Sequence, residues 1–353
     1  MGDQPTQFRV LHVVTTTDRR GAETAAVALA ERVGGEVVAL AAGAAGGLDL
    51  PLAGGGRPWR WLAAVRRLAG DADVVIAHGS TTLPVVAAAT VGLPVPFVYR
   101  SIGDPRAWAT TPARRARVRL AVSRASAVVA LWRGAAAAWN EHLGVPAERL
   151  RVIPNGVDAG RFRPSSASER RAARAELGLP AEDPVVLCMG ALSREKRVDV
   201  AMRAVSTLPA GTLVVVGEGP ERPALELLAA SVGRGRIRML GQTDRPDVAL
   251  SAADVLVLSS DTEGMPAVAI EAGMAGLPVA ATRVGGLAEV VGDGKTGVLV
   301  ERGDPAALAA AVGRCLEEGA AMGPLARAHC AERFDIARLA HLWLNLLKGI
   351  NTG

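Results

Sequence analysis

Eleven short apolar runs, separated by segments of helical pattern, constrain this chain more than any other feature. The first half holds "RVLHVV" (9–14), "DVVIAH" (73–78), "PFVYR" (96–100), "AVVALW" (127–132) and "LRVIP" (150–154). The second half holds "VVLCMG" (185–190), "TLVVVGEG" (212–219), "IRMLG" (237–241), "VLVLSS" (255–260), "PVAAT" (278–282) and "GVLV" (297–300). Short runs that are apolar on both faces and alternate with helices form parallel sheets covered on each side. A polar stretch, "SSASERRAARAELGLPAEDP" (165–184), interrupts the series. The expected fold is therefore α/β, with two Rossmann-like doubly wound parallel-sheet domains at 1–165 and 166–335. With 353 residues, each has chain enough for its own core. Open α/β sheets bind ligands beyond the carboxyl ends of their strands, so paired domains imply a cleft where they face each other. The amphipathic segment "FDIARLAHLWLNLLKGI" (334–350) is expected to cross back onto the first domain as a helix over 336–353.

Within the second series, "DTEGMPAVAIEAG" (261–273) places Glu263 before a helix start and Glu271 inside the helix. Pro266, with a preset φ and no amide hydrogen, fits the first turn. The two carboxylates are then at most ~12 Å apart by helical rise. Between them lie the free amides of the helix start, an anion site. Hydroxyls at both ends and negative charge in the middle describe the ligand that suits this layout, and a nucleotide sugar has that form. Two glutamates at this spacing, taken alone, are ordinarily just solvated.

Neighbouring motifs change that balance. "GALSREKRVDV" (190–200) gathers Arg194, Lys196 and Arg197 at a strand end, where a lysine can neutralise a diphosphate. "TTTDRRGAETAA" (15–26) sets Gly21 and free amides at a helix start in the first domain. "VVVGEGPER" has Arg222 where the dinucleotide fingerprint needs a third glycine, and reads as a tight turn. No P-loop, G-x-S-x-G or H-E-x-x-H pattern occurs, which argues against the nucleotide-hydrolysing, serine-hydrolase and zinc-protease classes.

Charge is unevenly divided. Residues 1–165 carry 20 arginines against 12 acids, a net of +8, while the whole chain carries +5. "RPWRWLAAVRRL" (57–68) interleaves Trp59 and Trp61 with arginines, and Arg114, Arg115, Arg117 and Arg119 follow Trp108. Such segments suit an anionic membrane surface, where lipid-linked acceptors reside, or equally a solvated arginine face. No RNA- or DNA-binding motif is present, so nucleic acid is not an expected partner. Cys188, Cys315 and Cys330 lack metal-ligand or disulfide spacing and are expected to be reduced thiols. Without a leader-like or spanning segment, the expected location is cytoplasmic, with peripheral attachment to the inner membrane face as an option.

Taken in order, "RRGAE", "DVVIAHG", "VIPNGVD", "GALSREKRVD", "VVVGEGPER", "ADVLVLSSDTEGMPAVAIEAGMAGLPVAAT" and "VGGLAEVVGDGKTGVLV" resemble the retaining glycosyltransferases of family 4, which have the GT-B fold. The resemblance covers nearly the whole chain and is most specific over 185–300. It implies transfer of a sugar from a nucleotide-diphosphate sugar to a hydroxyl acceptor, which could be a glycan, a glycolipid or a small molecule. No metal and no cofactor are implied, the nucleotide sugar being a co-substrate. By the same resemblance Glu271 holds the ribose hydroxyls and Glu263 those of the donor sugar. Gly264, Met265 and the residues after Pro266 turn their amides to diphosphate and sugar. Lys196 binds phosphate, Gly21 approaches it from the first loop, and the base lies by Leu240 and Gly241. Replacing Glu271 should then weaken the free nucleoside diphosphate and the donor alike, whereas replacing Glu263 should spare the free diphosphate.

Two positions depart from the family pattern. Ala191 stands where many members have an arginine, which leaves Arg194 as the candidate second cation. "VYRSIGDP" stands where many have a His-Asp pair, so Asp104 is the candidate aspartate and the histidine is missing. His78 could supply a polar contact in the cleft, or equally be a satisfied structural histidine. A nucleotide-sugar epimerase and a nucleotide-sugar-binding protein without turnover remain as alternatives.

Overall fold

The computed structural model describes residues 8–18, 21–43, 47–233 and 235–351. Two compact units divide the chain: Met1–Gly156 with Ile336–Gly353, and Val157–Asp335. The junction precedes the polar stretch, so residues 157–165 pack within the second unit.

The first unit contains β1 (Val10–Thr16), β2 (Glu36–Ala41), β3 (Val74–His78), β4 (Phe97–Ser101), β5 (Ala127–Ala130) and β6 (Leu150–Val152). They form one parallel sheet in the order β2-β1-β3-β4-β5-β6. β2 is the strand that the sequence pattern does not announce: its few valines precede a run of alanine and glycine, and it follows the helix Gly21–Val33 directly. Pairing with β1 along one edge, from Leu11 with Glu36 to Thr16 with Ala41, decides its conformation.

Successive side chains point to opposite faces of a strand, and both faces are buried. Leu11, Val13, Val75, Tyr99 and Val128 join Val65, Val86 and Trp139 on one face. Val10, Val74, Ile76, Val98 and Val129 join Leu29 and Val33 on the other, where Leu339, Ala340, Trp343 and Leu347 complete the core. Those last four residues belong to the helix Ile336–Asn351, which thus finishes the unit that begins the chain.

The second unit contains β7 (Val185–Met189), β8 (Thr212–Val216), β9 (Ile237–Gly241), β10 (Val255–Leu258), β11 (Val279–Thr282) and β12 (Gly297–Val300). Their order is β12-β11-β10-β7-β8-β9, again all parallel. The chain enters at β7, winds outward through β8 and β9, then returns to β10 beside β7. Strand order reverses between β7 and β10, and a ligand crevice opens at the carboxyl ends of such a pair. The loops leaving these two strands carry the sequence motifs of greatest interest.

Candidate functional site

After β7 the chain passes Gly190 and makes a short 3-10 turn, Arg194–Lys196. Arg197 follows with φ of 48°, a left-handed conformation that costs a side-chain-bearing residue about 1–2 kcal/mol. Several bonds hold it there. Its guanidinium pairs with Asp199 at 3.0 Å and Asp261 at 3.4 Å. Ser259 Oγ donates to the carbonyls of Lys196 (3.2 Å) and Arg197 (2.7 Å), and the Asp261 amide donates to Glu195 O at 2.8 Å. The loops after β7 and β10 are therefore stitched together, although about 65 residues separate them in sequence.

This stitching brings Lys196 to Glu263. The ammonium donates to both carboxylate oxygens, at 2.7 and 2.8 Å, and Ser260 Oγ donates to Oε1 at 2.6 Å. The Glu263 side chain is 6% exposed and that of Lys196 29%, so the pair sits at the rim of the buried interior.

Behind the pair, the Gly286 amide donates to Gly264 O at 2.6 Å, and Gly285 (φ 55°) lies so close that a Cβ there would collide with the Glu263 carbonyl. Gly285→Ala is expected to cost about 1–3 kcal/mol of stability but to lower any reaction that depends on Glu263 by about 10²-fold or more, since small misplacements of a positioned group have that effect. Thermal denaturation beside a transfer assay checks this: equal, modest losses in both would show that the backbone adjusts without moving the carboxylate.

Pro266 is the N-cap of the helix Ala267–Met274, one position earlier than the first turn expected for it. The amides of Ala267 and Val268 are those a helix start leaves for an anion. One turn further in lies Glu271, partly open to solvent yet crowded by protein. Burial raises its carboxyl to about 7, with the Arg161 guanidinium opposing the shift. Met265 is buried, and Gly264 is fixed by its bond to Gly286.

The remaining sequence candidates lie as follows. Arg194 is exposed on the turn beside Lys196. Gly241 ends β9 with φ of 76°, next to the Glu218 and Arg222 side chains. The glycines of "VVVGEG" make a close backbone approach: a Cβ at Gly217 would collide with Gly190 O. In the first unit, Gly21 opens its helix with free space where a side chain would stand. Arg19 and Arg20, just before it, lie outside the described residues. Asp104 caps the helix Pro105–Trp108 by accepting from the Arg106 amide at 2.9 Å, and the Arg106 guanidinium holds it at 2.7 Å.

His78 is fully buried at the end of β3. Arg100 donates to its Nδ1 at 3.1 Å, and its Nε2 lies 3.1 Å from Nδ1 of His12. His12 Nε2 reaches Gly34 O at 3.4 Å, and Arg100 also donates to Asn155 at 2.6 Å. Burial first, then the Arg100 charge and His12, holds His78 well below the usual histidine range. Burial likewise brings His12 down to about 4. Both rings are neutral near pH 7, and one tautomer set satisfies the whole chain: His78 donates from Nε2 and His12 donates to Gly34. Internal partners thus account for both ring nitrogens of His78.

The family description "Glycosyltransferase Family 4" matches residues 10–161, and "Glycosyl transferases group 1" matches residues 169–332. The chain belongs to the family 4-like glycosyltransferases. The D-inositol 3-phosphate glycosyltransferase of Acidothermus cellulolyticus is 39% identical to this family member over 193 residues, covering 50% of this chain and 42% of the relative. The chain thus spans about half the length of the curated relatives it matches. Among solved structures, HepE of Anabaena in complex with UDP-glucose is 25% identical and superposes with a TM-score of 0.86, over 97% of this chain and 100% of that one. A glycosyltransferase from Rickettsia africae shares the fold at a TM-score of 0.82 and 17% identity, over 98% and 99% of the two chains. The two parallel sheets of this family 4-like chain are those of the GT-B fold.

Ser259, Ser260 and Gly285 belong to the site and were not singled out from the sequence. For Ser260 a signal exists: it stands three residues before Glu263, the S-x-x-E spacing at which a hydroxyl and a carboxylate meet around a turn. The Gly285-Gly286 pair beyond β11 is a further mark of close backbone approach.

Proposed function

We propose that the chain transfers a hexose from a nucleoside diphosphate sugar to a hydroxyl acceptor, with retention at the anomeric carbon and without a metal. One observation carries this reading: a lysine and a carboxylate meet at the strand-order reversal of the second unit, next to a helix start with a second carboxylate one turn inside it. Lys196 and the amides of Ala267 and Val268 would meet the charge that develops on the leaving diphosphate. Glu263 would orient the sugar, and Glu271 would accept from the ribose hydroxyls. The UDP-glucose bound to HepE makes UDP-hexoses the first donors to try. The activity in the name of the curated relatives makes inositol 3-phosphate the first small acceptor.

Incubation with UDP-hexoses and acceptors, followed by mass spectrometry and NMR of the anomeric centre, tests the proposal. Free nucleotide with a glycosylated product of unchanged anomeric configuration, at a rate that chelators leave intact, is the expected result. An isomerised donor would point to an epimerase, and saturable binding without turnover to a sensor.

A lipid-linked acceptor is supported by the surface of the first unit. Trp59 is 75% exposed and Leu62 48%, on the helix Pro58–Gly70 that also displays Arg60, Arg66 and Arg67; Leu120 is 73% exposed on the arginine-rich helix Pro112–Ser123. Among the described residues no helix is long and apolar enough to cross a membrane. Vesicles containing anionic lipid should bind the protein, at about 1 kcal/mol per engaged arginine, and Trp59→Ala should weaken that binding about tenfold. Equal sedimentation with neutral and anionic vesicles, or with neither, removes the membrane reading.

A further inference from the structure

The ion pair in the second unit sets two uses of one ammonium against each other. Glu263 takes two of the three Lys196 donors with both its oxygens, and it is held in that pose by Ser260 Oγ below and by the Gly285-Gly286 backbone behind. Lys196 is anchored just as firmly. Its amide donates to Ser193 O at 3.0 Å, its carbonyl accepts from Ser259, and the Arg197–Asp261 pair ties the next residue across. With both backbones fixed, the pair can be undone only by side-chain rotation. A diphosphate drawn to Lys196 would bring two or more negative charges beside a carboxylate with little water around it, where repulsion is weakly screened.

We propose that Glu263 is an internal competitor for the diphosphate, so that the site grips an intact nucleotide sugar more firmly than the nucleoside diphosphate left after transfer. The inference rests on the donor-site reading given above. With the intact donor, sugar hydroxyls bond to the carboxylate and draw it off the lysine, which is then free for the phosphates. Once the sugar has moved to the acceptor, nothing detains Glu263. The carboxylate swings back onto Lys196, and the nucleoside diphosphate loses its main cation. The pair thus acts as a product-release device, and it limits inhibition by spent nucleotide. This reverses the expectation drawn from sequence alone, under which removing the Glu263 charge would spare the free diphosphate.

Calorimetric titration of the full chain with UDP, GDP and ADP and with their glucose conjugates tests it, on the native protein, Glu263→Gln, Lys196→Met and the double variant. Glu263→Gln keeps the shape and the Ser260 bond but drops the charge. It is expected to bind the free diphosphate about tenfold more tightly, while its affinity for the nucleotide sugar stays level or falls. Lys196→Met is expected to weaken both ligands. In the double variant the gain from Glu263→Gln should shrink to what relief of repulsion alone gives, because the lysine contested by the two anions is gone. If Lys196→Met weakens the free diphosphate but Glu263→Gln does not tighten it, the competition is refuted and the donor site stands. Lys196→Met with unchanged affinity for the nucleotide sugar, or no binding of any nucleotide by any form, refutes the donor site itself.

Discussion

Lys196→Ala is expected to reduce sugar transfer by about 10²- to 10³-fold, the usual cost of removing a group that stabilises charge developing on a leaving atom. The intact nucleotide sugar should lose about 2–4 kcal/mol of affinity, as when one partner of a desolvated charge pair is truncated, and the free nucleoside diphosphate less, since Glu263 already holds the ammonium in that complex. Part of the damage falls on the protein itself. Without the ammonium, the carboxylate of Glu263 keeps, among the described residues, the Ser260 hydroxyl as its side-chain partner while remaining 6% exposed, so a lowered melting temperature should accompany the kinetic loss. Arg194→Ala provides the comparison, since Arg194 lies two residues away but is exposed on the turn. Its removal should cost tenfold or less, about 1 kcal/mol for a solvated charge. Calorimetry and initial rates on both variants decide the matter. Equal losses would mean that the turn supplies a diffuse positive field, with no special place for Lys196.

A second large effect should be visible in pH. Burial raises the Glu271 carboxyl from 4.5 to about 7, so near pH 6 the folded protein holds a proton there that the unfolded chain does not. Ribose hydroxyls donate to the charged form, so binding expels that proton. Affinity for an intact UDP-hexose, whose diphosphate does not itself titrate in this range, should fall by up to about thirtyfold between about pH 8 and about pH 5.5. Glu271→Gln should bind more weakly at pH 8 and lose the slope. The contribution of the same group to stability runs the other way: a raised carboxyl penalises the folded state above pH 4.5, and the penalty lifts as pH falls from about 7 to 4.5. His12, brought down from 6.5 to about 4, acts in the opposite sense, its stabilisation being lost as pH falls through that window. Comparing native protein with Glu271→Gln cancels the histidine contribution. A slope that survives the substitution would assign the proton elsewhere.

Much of this architecture could be read from letters, because every strand but β2 is announced by its own apolar run. β2 was hidden because an edge strand of alanine and valine has no signature apart from the neighbour it pairs with. The site divides along similar lines. Glu263 and Glu271 share one stretch of chain, so their spacing and the helix start between them were legible. The meeting of Lys196 with Glu263 was not, since it depends on β10 returning to lie beside β7, and on the Ser259 and Asp261 bonds that close the loops. His78 shows the opposite difficulty. A histidine at the end of a strand reads as available, and only the packing of Arg100 and His12 around it reveals a group occupied on both nitrogens.

The return of Ile336–Asn351 to the first unit has a consequence for synthesis. Val157–Asp335 is one uninterrupted segment, so the second unit can complete its core as soon as it has left the ribosome. The first unit, although made earlier, cannot. One face of its sheet, with Val10, Ile76, Val98 and Val129, is covered only in part, by Leu29 and Val33, until Leu339, Trp343 and Leu347 have been translated some 200 residues later. During that interval the older half of the nascent chain is the one that presents apolar surface to chaperones, and a released chain cut short before residue 336 would display a folded second unit joined to an unfinished first.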